Sequence, residues 1–121
     1  MEINRKIHPR KSIRVVCSLE MMNGTLFQGY TRNISSDRIF IGSYNVVSQN
    51  RSGATPGVGD TGLIRLRYKH GDISDSLVTR CRLTHVTPDG IGLYANFSDL
   101  PEKKYSIFDK IMNTNSSSIV L

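Results

Sequence analysis

The residues best equipped for chemistry lie near the start of the chain. Arg5-Lys6-Ile7-His8-Pro9-Arg10-Lys11-Ser12-Ile13-Arg14 carries Arg, Lys or His at six of ten positions. Pro9 disfavours helix at His8 and keeps this arm extended. A second group, Asn33-Ile34-Ser35-Ser36-Asp37-Arg38, sets short hydrogen-bonding side chains beside another arginine. Arginine presents a planar fork that grips phosphate oxygens or the O6/N7 edge of guanine, and its flat face stacks on bases. Asn and Ser add compact donors and acceptors. An arm and a corner of this kind, if adjacent, form a clamp for a compact, anionic, guanine-bearing ligand. The plainer reading of the same residues is a solvated basic arm followed by a Ser-rich turn.

Catalytic patterns are missing. His8, His70 and His85 are scattered, and there is no GxSxG, HExxH, Walker lysine loop or Cys–His signature. Gly57-Val58-Gly59-Asp60-Thr61-Gly62 imitates part of a phosphate loop, but it lacks the Gly-Lys-Ser/Thr ending and leads into a strand. The sequence therefore argues for a non-enzymatic protein with no metal and no cofactor. Cys17 and Cys81 lack CxxC spacing and fall on inward strand faces, where they read as small core hydrophobes.

The elements that must position the arm and the corner are mostly strands, because the apolar period is two. Ile13, Val15, Cys17, Leu19 and Met21 alternate with polar residues, Val16 excepted. Asn23-Gly24 then signals a two-residue hairpin turn. Thr25 to Asn33 gives a second run and Ile39-Phe40-Ile41 a short third. Ser43 to Asp60 is polar and rich in Gly, Ser and Asn, and reads as one long loop. Ile64, Leu66 and Tyr68 alternate with Arg65 and Arg67, and after the His70-Gly71-Asp72 turn Leu77, Cys81 and Leu83 alternate with Arg80 and Arg82. Beyond Pro88-Asp89-Gly90, Leu93, Ala95 and Phe97 are in phase. After Pro101 the period turns helical, with Ile107, Phe108, Ile111 and Met112 on one face, Glu102 near the start and Lys110 near the end. The expected fold is all-β with one C-terminal helix: a six-stranded antiparallel barrel whose open end the helix plugs. Residues 1–12 form a flexible basic arm, 13–112 the barrel and helix, and 113–121 a disordered tail. Counting from the Asn23-Gly24 turn sets Met22 opposite Thr25 and Arg14 opposite Asn33, so the arm and the Asn/Ser corner become neighbours.

Composition agrees. The chain has 121 residues, with 16 Lys plus Arg against 10 Asp plus Glu, for a net charge of +6. That length suits one domain. At 38% hydrophobic it can build one modest core. No apolar run reaches the ~20 residues needed to span a bilayer. No secretory signal precedes the charged start, and two cysteines make no disulfide scaffold, so a cytoplasmic protein is expected. The charge suits an anionic partner.

These residues resemble the PilZ domain family, bacterial receptors of cyclic di-GMP. The family pattern is an Arg-x-x-x-Arg arm, a strand, then Asp/Asn-x-Ser-x-x-Gly. Here the arm is Arg10-Lys11-Ser12-Ile13-Arg14, or alternatively Lys6-Ile7-His8-Pro9-Arg10, and the second motif is Asn33 to Arg38. Gly90 to Leu100 is similar to the family's last strand and its exit to the helix, so the resemblance runs from about Arg5 to Met112. Two departures are plain: Arg38 replaces the final Gly, and the loop 43–60 is long. The resemblance implies a PilZ-like split barrel binding cyclic di-GMP, in a stacked pair, through Arg10 and Arg14 on phosphates and guanine edges. Asn33 and Ser35 would hydrogen-bond the ligand, and Arg5 and Lys6 would attract it. Arg38, in the glycine's place, would either fill the site or reach a phosphate. It also implies a monomer or weak dimer that signals to an unidentified protein partner, in motility or biofilm control. The alternative is a PilZ-like adaptor that binds no nucleotide. A small RNA- or DNA-binding barrel, using Arg65, Arg67, Arg80 and Arg82, is disfavoured by the scarcity of interleaved aromatics.

Overall fold

The computed structural model describes residues 5, 7–49, 55–70 and 72–113. Its elements are β1 (Lys11–Ser12), β2 (Val16–Met21), β3 (Leu26–Ile34), β4 (Arg38–Ser48), β5 (Thr61–His70), β6 (Ile73–Thr87), β7 (Gly90–Tyr94), a 3-10 turn (Phe97–Asp99) and α1 (Glu102–Asn113). Six strands, β2 to β7, pair antiparallel in the order β3–β2–β5–β6–β7–β4, and β4 returns to β3 to close the barrel. The alternating residues fill it: Cys17, Leu19, Met21, Ile64, Leu66, Leu77, Leu83 and Leu93 are all buried. Burial also pushes both thiols up to about 12.

The helix packs its apolar face onto the core, as its spacing predicts. Tyr105, Phe108, Ile111 and Met112 are buried. Phe108 stacks on Phe97 with centroids 4.4 Å apart, and Tyr105 meets it edge-on at 5.9 Å.

The structure corrects several sequence expectations. The first hairpin turns on three residues, Met22-Asn23-Gly24, not two. Gly24 N–H donates to Met21 C=O (2.9 Å), and Gly24 takes a φ of 94°, which only glycine adopts without strain. That moves the register by one, so Val16 faces Tyr30. A bulge at Ile13–Val15 moves it again, and Ser12, not Arg14, faces Asn33. Thr31 bridges this bulge: its hydroxyl accepts from Val15 N–H (2.9 Å) and donates to Ile13 C=O (2.6 Å). Lys11 and Ser12, assigned to the arm, therefore belong to the sheet. Ser43 to Ser48, assigned to a loop, continue β4, because β3 supplies the partner groups for them. Residues 57–60 form a tight turn held to Leu83 by two backbone hydrogen bonds of 2.8 Å, which disposes of the phosphate-loop resemblance there. Asn113, placed in the tail, ends the helix. Residues 114–121 of that tail and 50–54 of the loop lie outside the described residues.

Candidate functional site

Chain reversal between β3 and β4 builds a rigid corner. Ser35 N–H donates to Arg38 C=O (2.9 Å). The Ser35 hydroxyl accepts from Arg38 N–H (3.1 Å) and donates to the Asp37 carboxylate (3.1 Å). Asp37 and Ser36 carbonyls accept from Ala95 and Phe97 N–H, each at 3.0 Å, which ties the corner to the end of β7. Ser35 and Ser36 are both buried. Arg38 opens β4 opposite Tyr94. No non-glycine residue among those described has positive φ, so the backbone at Arg38 carries no left-handed strain.

The arm docks directly on this corner. His8 N–H donates to the Ser36 hydroxyl (2.7 Å), and Ser36 N–H donates to His8 C=O (3.0 Å). On its other side the arm follows α1. Arg5 donates to the carbonyls of Ser98 (2.8 Å) and Leu100, with its guanidinium 4.4 Å above the Tyr105 ring. His8, 5% exposed, meets Phe108 edge-on and pairs through Nε2 with Asp109 at 2.9 Å. Lys11 donates to Met112 C=O (2.7 Å), near the helix C-terminus where a cation is favoured. Arg5, His8 and Lys11, three residues apart, thus fasten the arm along the helix.

Between arm and corner lies a cleft of about 980 Å³. Ile7 to Arg10 form one wall, Asn33 and Ser35 to Arg38 another, and Arg32, Phe40, Thr84, His85 and Gly92 line the rest. Among the described residues, no carboxylate is in ion-pair range of Arg10, Arg32 or Arg38. Three arginines against one carboxylate, Asp37, leave this concavity net positive, a setting that attracts anions. A shallower cleft of about 520 Å³ adjoins it across Arg32, lined by Ser12, Ile13, Arg14, Tyr30, Thr31, Gly42 and Ser43.

The structure brings Arg10, Asn33, Ser35 and Arg38 together around the larger cleft. Arg14 lies apart, in the smaller one, its guanidinium 3.8 Å over the Tyr30 ring. Arg5 faces the helix, and Lys6 lies outside the described residues. The hydroxyl of Ser35 is engaged inside its own turn. Arg38 rests 5.1 Å from the Tyr94 ring centre, with Arg82 at 5.5 Å from the same ring. Sequence reasoning missed Arg32, Phe40 and His85. The available signal was phase: Phe40 faces out between inward Ile39 and Ile41, and Gly90 and Gly92 leave the outer face of β7 bare beside it.

Among the described residues no His, Cys, Asp and Glu cluster could hold a metal ion, and no helix is long and apolar enough to cross a membrane. No protein-family model matches the chain, and no curated protein matches it.

Proposed function

We infer that this chain is a PilZ-type receptor for cyclic di-GMP that passes the signal to a protein partner and catalyses nothing. The observation that carries the reading is the meeting of the basic arm with the Asn/Ser corner around one cleft, where no carboxylate among the described residues is in ion-pair range of Arg10, Arg32 or Arg38. A cyclic dinucleotide offers two phosphates to such arginines and guanine edges to Arg10 and Asn33. Arg14, on Tyr30 in the adjoining cleft, suits the second nucleotide of a stacked pair. The ligand changes the surface shown to the partner through the arm, which borders both the cleft and α1.

Titration calorimetry of the purified chain with cyclic di-GMP, with GTP as control, tests this. Saturable binding of the cyclic dinucleotide alone is expected. A folded chain that ignores it points to the second reading, an adaptor working by protein contacts, which the arm's existing attachment to the helix favours. Steep loss of binding with salt and equal binding of single-stranded nucleic acid would mark a nucleic-acid protein.

A further inference from the structure

The larger cleft has a floor that neither sequence motif supplies. Phe40 of β4 and His85 of β6 flank the same residue, Gly92 of β7, in the register of the sheet. Their rings lean together over it, with centroids 5.7 Å apart and planes within 20°. Glycine makes room for them. A Cβ at position 92 would fall 2.0 Å from Cε1 of His85, and one at position 90 would fall 2.8 Å from Cζ of Phe40. The Thr84 hydroxyl is hydrogen-bonded to His85 Nδ1 (3.1 Å), which fixes the imidazole. The guanidinium of Arg32 stands 5.4 Å from the Phe40 ring centre. All of these except Gly90 line the cleft, and His85 is exposed.

Two nearly parallel rings seated on bare backbone, open to a cleft bordered by arginines, have the components of a base-binding surface. Aromatic faces stack on nucleobases, and a neighbouring guanidinium serves the phosphate. The receptor reading supplies the choice of base, a bicyclic purine. We propose that Phe40 and His85 form the platform on which this cleft takes a purine base, with Arg32 on its phosphate side. The proposal rests on the receptor reading and names which residues hold the base.

A purely structural role, shielding a glycine-rich strand, is met by any apolar side chain at position 40. Phe40→Leu keeps that cover but loses the π face. The experiment uses the full chain, wild type and the Phe40→Leu and His85→Gln variants. Calorimetry follows cyclic di-GMP, and NMR follows the His85 ring protons during titration with cyclic di-GMP and, separately, GMP. Expected are upfield ring-current shifts at His85 but not at buried His8, and roughly tenfold or greater loss of affinity in Phe40→Leu with an unchanged melting temperature. Wild-type affinity in both variants, or His85 signals unmoved by either nucleotide, overturns the platform. Failure of the receptor reading looks different: the wild type ignores cyclic di-GMP, and a shift of His85 with GMP then upholds the platform alone.

Discussion

Arg10, Arg32 and Arg38 border the larger cleft, whereas Arg65, Arg67 and Arg80 stand on the outer face of β5 and β6. All six are exposed and belong to the same basic chain. Their settings differ in two ways. Around the cleft the backbone is irregular: the first strand breaks at Ile13–Val15, β3 and β4 shift register twice between Tyr30 and Asn33, and β6 shifts against β7 between Leu83 and His85. Between β5 and β6 the ladder runs unbroken from Thr61↔Arg82 to His70↔Ile73. The company also differs. Arg32 and Arg38 lie by the rings of Phe40 and Tyr94, and the arm forms one wall of the cleft. Arg65 bonds only the Ser76 hydroxyl (3.2 Å), and no cation–ring contact involves Arg65, Arg67 or Arg80 among the described residues. Equal charge on an even sheet is solvated surface; bulges and a flanking segment turn it into a concavity.

The comparison breaks most readily at its backbone. Thr31→Val removes the bridge across the bulge and leaves Val15 N–H and Ile13 C=O unpaired in a buried site. The expected cost is about 2–4 kcal/mol, a fall in melting temperature of roughly 10 °C, read by calorimetric melting. Thr61→Val on exposed β5 should stay within about 0.5 kcal/mol. Stability of wild-type size in Thr31→Val would mean the irregular side needs no such bridge.

Ligand affinity sharpens the contrast next. Arg10→Ala should weaken cyclic di-GMP about tenfold or more, the worth of one good bidentate contact at about 1–3 kcal/mol. Arg65→Ala combined with Arg80→Ala should leave the calorimetric isotherm almost unchanged at physiological salt, where distant surface charges are screened. Equal losses from both substitutions would erase the distinction between the two groups.

Both faces share one core, and its thiols report on it. Cys17 and Cys81 ionise near 9.0 when unfolded and are pushed up to about 12 by burial. Unfolding therefore releases protons between those values. Stability is flat below pH 9 in this respect and falls as pH rises above it, by at most about 1.4 kcal/mol per pH unit for each thiol. Urea titrations at pH 8 and 10, with and without Cys17→Ala, measure the slope; a thiol-specific reagent should find no reactive cysteine in the native chain at pH 8. The smallest effect belongs to Asp109→Asn. Asp109 is 45% exposed, so its pairing with His8 is worth below about 1 kcal/mol, resolvable by a double-mutant cycle with His8.

Much of this was legible in the residues. Strict alternation from Cys17 to Met21 and from Ile64 to Tyr68 specified strands and their inward faces, and the switch of period after Pro101 specified the helix. The approach of arm to corner followed from hairpin connectivity. The fine register did not, because Asn23-Gly24 serves a two-residue turn and a three-residue turn alike, and the Ile13–Val15 bulge depends on a hydroxyl eighteen residues away from Ile13. Ser43 to Ser48 carry no alternation because most of them are exposed, so only pairing with β3 makes them strand. The Phe40–His85 contact joins two strands that do not pair with each other, across a third whose glycines are silent in any hydrophobic pattern.

The His8–Asp109 pair joins residues 101 apart in sequence. His8 needs both Ser36 of the corner and Asp109 of the helix in place, so the arm is expected to dock after the barrel and helix form and to open before them. The amide hydrogen of Ser36, which the arm alone covers through His8 C=O, should trade with deuterium well ahead of the strand amides around it. Such exchange would mark a state complete in every respect except its opening segment, whose rate of appearance would set how quickly a ligand reaches the wall behind it.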